Sequence, residues 1–233
     1  MELFCEYSNF ESAFCDEIIY KCQVIGINRL ASNGRVMNIH GTHPEGKFNA
    51  DVHTLTMFDH QIENFPRYLC NFFPNLKSIS VIACGLKSLT KFDLIGCEGI
   101  EKLMLNGNGI TSLTADVFEY AQNLETISFF NNRIEFVHEN VFDFLKKLKY
   151  VNFKMNSRID CCYRETGKGK VLLDEIKENL KKNIGRKNFS AETQNGSQEF
   201  FEAFEFLENF RDSARITMED NCNNRINMMF NRL

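Results

Sequence analysis

The sequence lacks the features of several protein classes. It has no run near the ~18 apolar residues that a membrane span needs. It has 27 Lys and Arg against 31 Asp and Glu, so no basic excess points to nucleic acid. Five acidic residues lie within the first twenty, which is unlike a secretory signal peptide. We therefore expect a chain that is either cytosolic or begins at or near a mature end.

Motifs for catalysis, metals and cofactors are also missing. The sequence contains no C-x-x-C and no G-x-S-x-G, and its five histidines form no i, i+4 pair. The stretch Gly167–Lys170 lacks the first glycine and the Ser or Thr of a phosphate loop. The sequence therefore predicts no enzyme, no metal site and no cofactor.

What the sequence does have is a 24-residue repeat. Its pattern is L-x-x-L-x-L-x-x-N/C-x-L, and five successive units keep it without slippage. The first apolar slot holds Val52, Leu76, Ile100, Leu124 and Leu148; the second holds Leu55, Ile79, Leu103, Ile127 and Val151; the third holds Met57, Val81, Leu105, Phe129 and Phe153. This pattern predicts a leucine-rich-repeat solenoid, in which each L-x-L segment is a short strand of a curved parallel sheet. One unit cannot bury its apolar face alone, so the units must stack.

Two further apolar columns predict how the chain returns to the next strand. They lie three residues apart, the spacing of one helical face, and predict short helices or turns on the convex side. The first column holds Cys70, Leu94, Phe118 and Phe142, and the second holds Phe73, Cys97, Ala121 and Leu145. The fold class is therefore α/β.

The Asn/Cys slot lies where the chain leaves the strand. It holds His60, Cys84, Asn108, Asn132 and Asn156. Side-chain amides there are expected to bond the backbone of adjacent turns as a ladder, with Cys84 as a weaker donor and His60 as a departure. In the last unit Ile159 falls one residue late, with Arg158 in its place, so the solenoid is expected to end there.

The flanks predict the remaining organisation. Residues 1–50 are interpreted as an N-terminal cap, with edge strands suggested by residues 18–20 and 24–25, and a degenerate repeat at Val36 and Ile39. Residues 51–163 form the five repeats. We expect a capping helix over 164–184, a polar linker over 185–198 and an amphipathic helical tail over 199–233.

The units "LMLNGNGITSLTADVFEYAQNLETISFFNNRI" resemble the repeats of extracellular leucine-rich-repeat proteins, including Toll-like receptors and their secreted relatives. The stretch "FCEY…IIYKCQV" resembles the cysteine cap of small secreted insect members, which implies a disulfide between Cys5 and Cys22. The resemblance covers roughly residues 1–185. It implies recognition of a ligand or protein partner and an extracellular location. The adjacent Cys161 and Cys162, with a distant Cys222, depart from the family's C-terminal cap.

The other cysteines and the sequons carry weaker expectations. From position alone, Cys5, Cys15 and Cys22 allow three pairings, whereas Cys70, Cys84 and Cys97 are expected to be buried thiols, because they occupy repeat slots. Two N-x-S sequons make Asn188 and Asn195 glycosylation candidates in the polar linker. Cap cysteines and sequons together favour an oxidising compartment, with the cytoplasm as the alternative.

Binding is expected on the concave face of the repeat sheet. Side chains alternate along a strand, so the positions between the inward slots point to that face. Phe58, Ile82, Met104 and Phe130 are expected to form an apolar docking patch there, unless C-terminal helices cover them. The candidate partner-binding residues are Phe58, Ile82, Met104, Asn106, Phe130, Tyr150 and Lys154. The predicted function is recognition of a protein or glycan partner; the alternative is a scaffold that self-associates through residues 199–233.

Overall fold

The computed structural model describes residues 1–11, 18–28, 33–159, 162–164 and 178. The chain divides into two compact units, Met1–Asn9 with Tyr20–Lys187, and Phe10–Ile19 with Asn188–Leu233. Of the second unit only the ends of two strands are described. The predicted linker and tail lie outside the described residues, as does the capping helix except at residues 164 and 178. Among the described residues, no helix has the length and apolar character of a membrane span.

A nine-stranded sheet runs through the described chain in the order β11-β10-β8-β6-β5-β4-β2-β1-β3. Its strands are β1 (Glu2–Glu11), β2 (Ile18–Asn28), β3 (Asn38–His40), β4 (Thr54–Phe58), β5 (Ser78–Ile82), β6 (Lys102–Met104), β8 (Thr126–Ser128), β10 (Tyr150–Asn152) and β11 (Cys162–Arg164). A second sheet pairs β7 (Ser112–Leu113) with β9 (Phe136–Val137) in parallel. The sheets are mostly parallel and helices are few, as in a leucine-rich-repeat fold.

Strands β4, β5, β6, β8 and β10 keep the predicted 24-residue register. Leu55 lies opposite Ile79, which lies opposite Leu103, and the same step leads to Ile127 and Val151. All five are fully buried and belong to one hydrophobic core cluster. The core therefore forms by stacking, because the apolar side chains of each unit pack against those of the next unit.

The return segments contain little regular helix. The helix α1 covers only Leu69–Phe72, and 3₁₀ turns cover Asn49–Asp51 and Lys91–Asp93. Both predicted return columns are nevertheless buried, from Cys70 to Phe142 and from Phe73 to Leu145. Rings one repeat apart stack, with 5.9 Å between the centroids of Phe118 and Phe142.

Each strand ends in the same left-handed turn. The residue two places after the third apolar slot has positive φ in all five units, namely Asp59, Ala83, Gly107, Asn131 and Met155, with φ between 52° and 67°. Only Gly107 adopts this conformation without a Cβ penalty. The repeat geometry therefore imposes the turn even where the residue opposes it.

The asparagine ladder forms as predicted, and His60 makes the equivalent bond. Asn132 Nδ2 donates to the Leu105 carbonyl of the preceding unit at 2.8 Å, and Asn132 Oδ1 accepts from Ile110 N at 3.2 Å. His60 bonds the Val24 carbonyl through Nε2 at 3.0 Å. Cys84 Sγ lies 3.7 Å from the equivalent Met57 carbonyl oxygen but 3.1 Å from the Ile82 carbonyl oxygen of its own unit. Asparagine and histidine thus donate to the same carbonyl position, whereas the one thiol proton of Cys84 is closer to its own turn.

The N-terminal cap continues the sheet in an unexpected order. Strand β2 pairs in parallel with β4, with Cys22 opposite Leu55, so β2 lies inside the sheet and is not an edge strand. Strand β3, which contains the predicted degenerate-repeat residue Ile39, pairs in parallel with β1 at the far side. The stack therefore passes from β4 to β2, and β3 does not stand between them.

Disulfides join the cap strands and two neighbouring repeats. Cys5 bonds Cys22, the pair that the family resemblance implies. Cys70 bonds Cys97, which corrects the expectation that both are free thiols. Their separation of 27 is one repeat plus three residues, so the two return columns bring them side by side in adjacent units. Cys84 is a free, buried thiol.

Candidate recognition surface

The repeat sheet has an outer face, which we define as the side turned away from the hydrophobic core. Along β4 the burial alternates, with Leu55 and Met57 inside and Thr54, Thr56 and Phe58 outside. The same alternation runs along β1, where Leu3 and Cys5 are buried and Phe4 is exposed. The outer face therefore carries the residues that the sequence assigns to the concave surface.

The exposure of the candidate partner-binding residues differs from the expectation. Phe58 and Lys154 are exposed. Ile82, Met104, Phe130 and Tyr150 are buried, although none of the four belongs to the core cluster. The predicted exposed apolar column is thus reduced to Phe58.

Asn106 has an internal hydrogen-bonding role. Its side chain is buried, and Oδ1 accepts the backbone N–H of Phe130 at 3.2 Å. Asn152 Oδ1, in the last unit, accepts from Lys154 N of the same unit at 2.9 Å. The side chain of Asn106 thus accepts a backbone hydrogen bond at the end of a strand. This bond explains an amide at position 106 without a role in partner binding.

An exposed apolar row crosses the outer face on the cap side of the repeats. It consists of Phe4 on β1, Ile25 on β2 and Phe58 on β4, which are 39%, 60% and 50% exposed. These three strands are consecutive in the sheet. Val24 lies opposite Met57, and Ile25 and Phe58 are the residues that follow this pair on the two strands. We call these three residues the apolar row.

Phe4 lies beside Gly26, the residue that follows Ile25. A Cβ built at Gly26 would lie 3.7 Å from the Cβ of Phe4 and 3.8 Å from its Cδ2, which are ordinary contact distances. Phe4 therefore lies against the part of β2 that contains Ile25.

A polar rim borders the row at the edge of the sheet. The His40 ring stacks on Phe4 with centroids 4.7 Å apart and an interplanar angle of 16°. His40 Nε2 lies 3.8 Å from a Glu2 carboxylate oxygen, which also accepts from Asn28 Nδ2 at 3.2 Å. Aromatic side chains with polar groups around them are the usual composition of protein interfaces.

The sequence reasoning found Phe58 but missed Phe4 and Ile25. Both lie in the cap, which the 24-residue repeat does not cover. The available signal was the strand period of two in "ELFCEY", which places Leu3 and Cys5 on one face and Phe4 on the other face with the two glutamates. That signal gives the face of Phe4 but not its neighbour.

A second aromatic cluster lies inside the cap. Tyr20 Oη lies 2.8 Å from His43 Nδ1, and His43 Nε2 lies 2.8 Å from Asn49 Oδ1. Because Asn49 Oδ1 can only accept, His43 must donate from Nε2, and neutral His43 accepts the Tyr20 hydroxyl at Nδ1. Tyr7 stacks on His43 with centroids 3.8 Å apart, and burial raises the pKa of Tyr7 to about 12. The polar atoms satisfy one another, so the cluster stabilises the cap.

Comparisons with known proteins identify the repeat. Residues 98–157 match the family model described as "Leucine rich repeat", so this part of the chain consists of leucine-rich repeats. A comparison with curated proteins returns no match.

Among solved structures, a chain of the Drosophila Toll–Spatzle complex is 22% identical over 53% of this chain and 17% of its own length, with a TM-score of 0.45. A chain of the glycosylated form is 24% identical over 48% of this chain and 15% of its own, also with a TM-score of 0.45. This chain therefore spans less than a fifth of the length of either.

Proposed function

We propose that this protein is a non-enzymatic recognition protein that binds a protein partner through the outer face of its repeat sheet, centred on the apolar row. The carrying observation is the exposure of Phe4, Ile25 and Phe58 on three consecutive strands. Exposed apolar side chains that cluster on a surface and have polar groups around them commonly mark an interaction site.

The chemistry of the row favours a protein over a glycan. Two phenylalanines and an isoleucine offer apolar contact area but no hydrogen-bond donor. Sequence reasoning left both partner classes open. A protein partner with its own apolar anchor would desolvate the row, whereas the Glu2–His40 rim would stay polar and set orientation.

Support for the compartment comes from the disulfides. Bonds such as Cys5–Cys22 and Cys70–Cys97 persist in oxidising environments and are rare in the cytosol. The proposed function therefore belongs to an extracellular or similarly oxidising compartment. Glycosylation at Asn188 and Asn195 would fit it, and both lie outside the described residues.

The experiment introduces negative charge into the row and compares it with charge elsewhere. The test variant is Ile25→Glu with Phe58→Glu, and the matched control is Phe92→Glu with Phe136→Glu, which are 54% and 47% exposed away from the row. Proteins crosslinked to the wild-type chain in its native fluid are identified by mass spectrometry. The binding of each one is then measured with purified partner.

We expect the test variant to bind a purified partner at least about 30-fold more weakly, the cost of losing one hot spot of about 2 kcal/mol. The control variant should bind like the wild type, and both variants should keep the wild-type melting temperature. Equal binding by the test variant and the wild type would refute the apolar row as the site. Loss of binding by the control as well would show a nonspecific effect of added charge.

A further inference from the structure

Three Asn-Gly dipeptides lie within the described residues: Asn33-Gly34, Asn106-Gly107 and Asn108-Gly109. In such a pair the backbone nitrogen of glycine can attack the side-chain amide carbon of asparagine, because glycine has no Cβ that hinders the approach. Hydrogen bonds that hold the side-chain amide or the glycine nitrogen hinder this attack. Such bonds hold both groups at two of the pairs, and among the described residues none holds them at the third.

Asn108-Gly109 is held on both sides by the ladder. Asn108 Oδ1 accepts the backbone N–H of Cys84 at 3.0 Å and of Leu86 at 3.1 Å. Asn108 Nδ2 donates to the Val81 carbonyl at 2.8 Å. The attacking group is engaged as well, because Gly109 N donates to the Leu86 carbonyl at 2.7 Å. Attack would require breaking hydrogen bonds at both reacting groups.

Asn106-Gly107 is protected in the same way by the next repeat. Asn106 is buried, and its Oδ1 accepts from Phe130 N at 3.2 Å. Gly107 N donates to the Phe130 carbonyl at 2.8 Å. The backbone of Phe130, in the following unit, therefore bonds both the Asn106 amide and the Gly107 nitrogen that would attack it.

Asn33-Gly34 has no such protection. Asn33 is exposed. Among the hydrogen bonds of the described residues, none involves the Asn33 side chain or the Gly34 N–H. The Gly34 carbonyl, by contrast, accepts from Arg67 N at 2.8 Å, which fixes the glycine while leaving its nitrogen unpaired.

We propose that Asn33 is a site of spontaneous deamidation in the folded protein. The Gly34 nitrogen forms a bond to the Asn33 side-chain carbon, the side-chain nitrogen leaves as ammonia with the proton from Gly34, and a succinimide results. Solvent water then opens either carbonyl–nitrogen bond and yields aspartate or isoaspartate. The net reaction consumes one water and releases one ammonia, and it adds one negative charge.

The position of Gly34 makes the modification structurally significant. Its φ is +88°, and a Cβ at this residue would collide with the Phe65 carbonyl oxygen. The neighbouring Arg35 forms a parallel bridge with Arg67, with Val36 N bonded to the Arg67 carbonyl at 3.2 Å. Isoaspartate inserts one extra carbon into the main chain before this tight contact. We therefore expect it to weaken the attachment of the cap to the first repeat.

The test incubates the full-length native protein in mildly alkaline buffer and follows two tryptic peptides by mass spectrometry. Cleavage after arginine or lysine gives residues 30–35, with Asn33 as their one asparagine, and residues 103–133, which contain both ladder pairs. A parallel sample in denaturant gives the rates without the fold. The variant Asn33→Gln keeps an amide but lengthens the side chain, and serves as the control.

We expect native 30–35 to deamidate at least about tenfold faster than the Asn-Gly pairs of 103–133, because each ladder pair must first lose hydrogen bonds. In denaturant the three pairs should react at similar rates, and in Asn33→Gln the peptide should stay unmodified. Equal native rates at the two peptides, or an unmodified Asn33 in the native protein, would overturn the proposal.

Discussion

Replacement of Asn108 by alanine tests the asparagine ladder at a position where one side chain bonds three backbone groups. Two backbone N–H groups, of Cys84 and Leu86, donate to Asn108 Oδ1, and the Val81 carbonyl accepts from its Nδ2. All three partners belong to the preceding unit. Alanine removes these bonds and leaves the two N–H groups buried without an acceptor.

The magnitude follows from the number of groups left unpaired. Each buried unpaired group costs about 1–3 kcal/mol. For Asn108→Ala the two N–H groups, with some relaxation of the backbone, give a loss of about 3–5 kcal/mol in the free energy of unfolding. Asn132→Ala leaves only the Ile110 N–H unpaired, since the Leu105 carbonyl still accepts from Asn108. Its expected loss is about 1–3 kcal/mol.

Urea unfolding followed by circular dichroism measures both variants with the disulfides intact. At a slope of about 2 kcal/mol per M, Asn108→Ala should lower the midpoint by about 1.5–2.5 M, and Asn132→Ala by clearly less. Equal losses would refute the counting of unpaired groups. A loss below about 1 kcal/mol for Asn108→Ala would show that the ladder bonds are replaced at no cost.

Three other predictions concern the repeats and the cap. Replacing both Cys70 and Cys97 with alanine should lower the free energy of unfolding by about 3.5 kcal/mol, the loop-entropy value for a separation of 27 residues, as measured by urea unfolding; no change would mean that the bond does not constrain the unfolded chain. Burial raises the pKa of Cys84 from 9.0 to about 11 and that of Tyr7 from 10.0 to about 12, so the folded state keeps protons that the unfolded chain releases. These two groups should therefore add no pH dependence below pH 9 and should lower the free energy of unfolding as the pH rises above 9; a rise in alkaline unfolding titrations would contradict this sign. Ala83→Gly should raise the free energy of unfolding by about 0.5–1 kcal/mol, and with it the melting temperature, because glycine relieves the left-handed strain at φ 53°. A lower melting temperature would show that the turn is not strained.

Much of the repeat unit could be predicted because its period is long and uninterrupted. The 24-residue step gave the register of Leu55 with Ile79 and the burial of the return columns. It also gave the ladder at Asn108, Asn132 and Asn156. The family resemblance supplied Cys5–Cys22.

The candidate site was only partly predictable, because alternation along a strand gives the face of a side chain but not how much of it is exposed. Alternation placed Phe58 and Phe130 on the same face, yet Phe58 is exposed and Phe130 is buried. Phe4 and Ile25 lie outside the repeat, and no periodicity connects them to Phe58. Their proximity depends on β2 pairing with β4, which follows from how the cap folds back.

The sequence by itself determined which residues recur at equivalent positions, and hence the strands, the core and the ladder. It could do so because the same 24-residue register holds for every unit of the stack. Only the tertiary structure decided the contacts that the repeat pattern does not contain: Cys70 with Cys97, His60 with the Val24 carbonyl, and the apolar row across cap and repeat. The physical reason is that successive repeats have the same backbone shape, so the contacts between one pair of repeats recur in the next. The cap has a different backbone shape, so its contacts with the first repeat depend on the path of the chain through space.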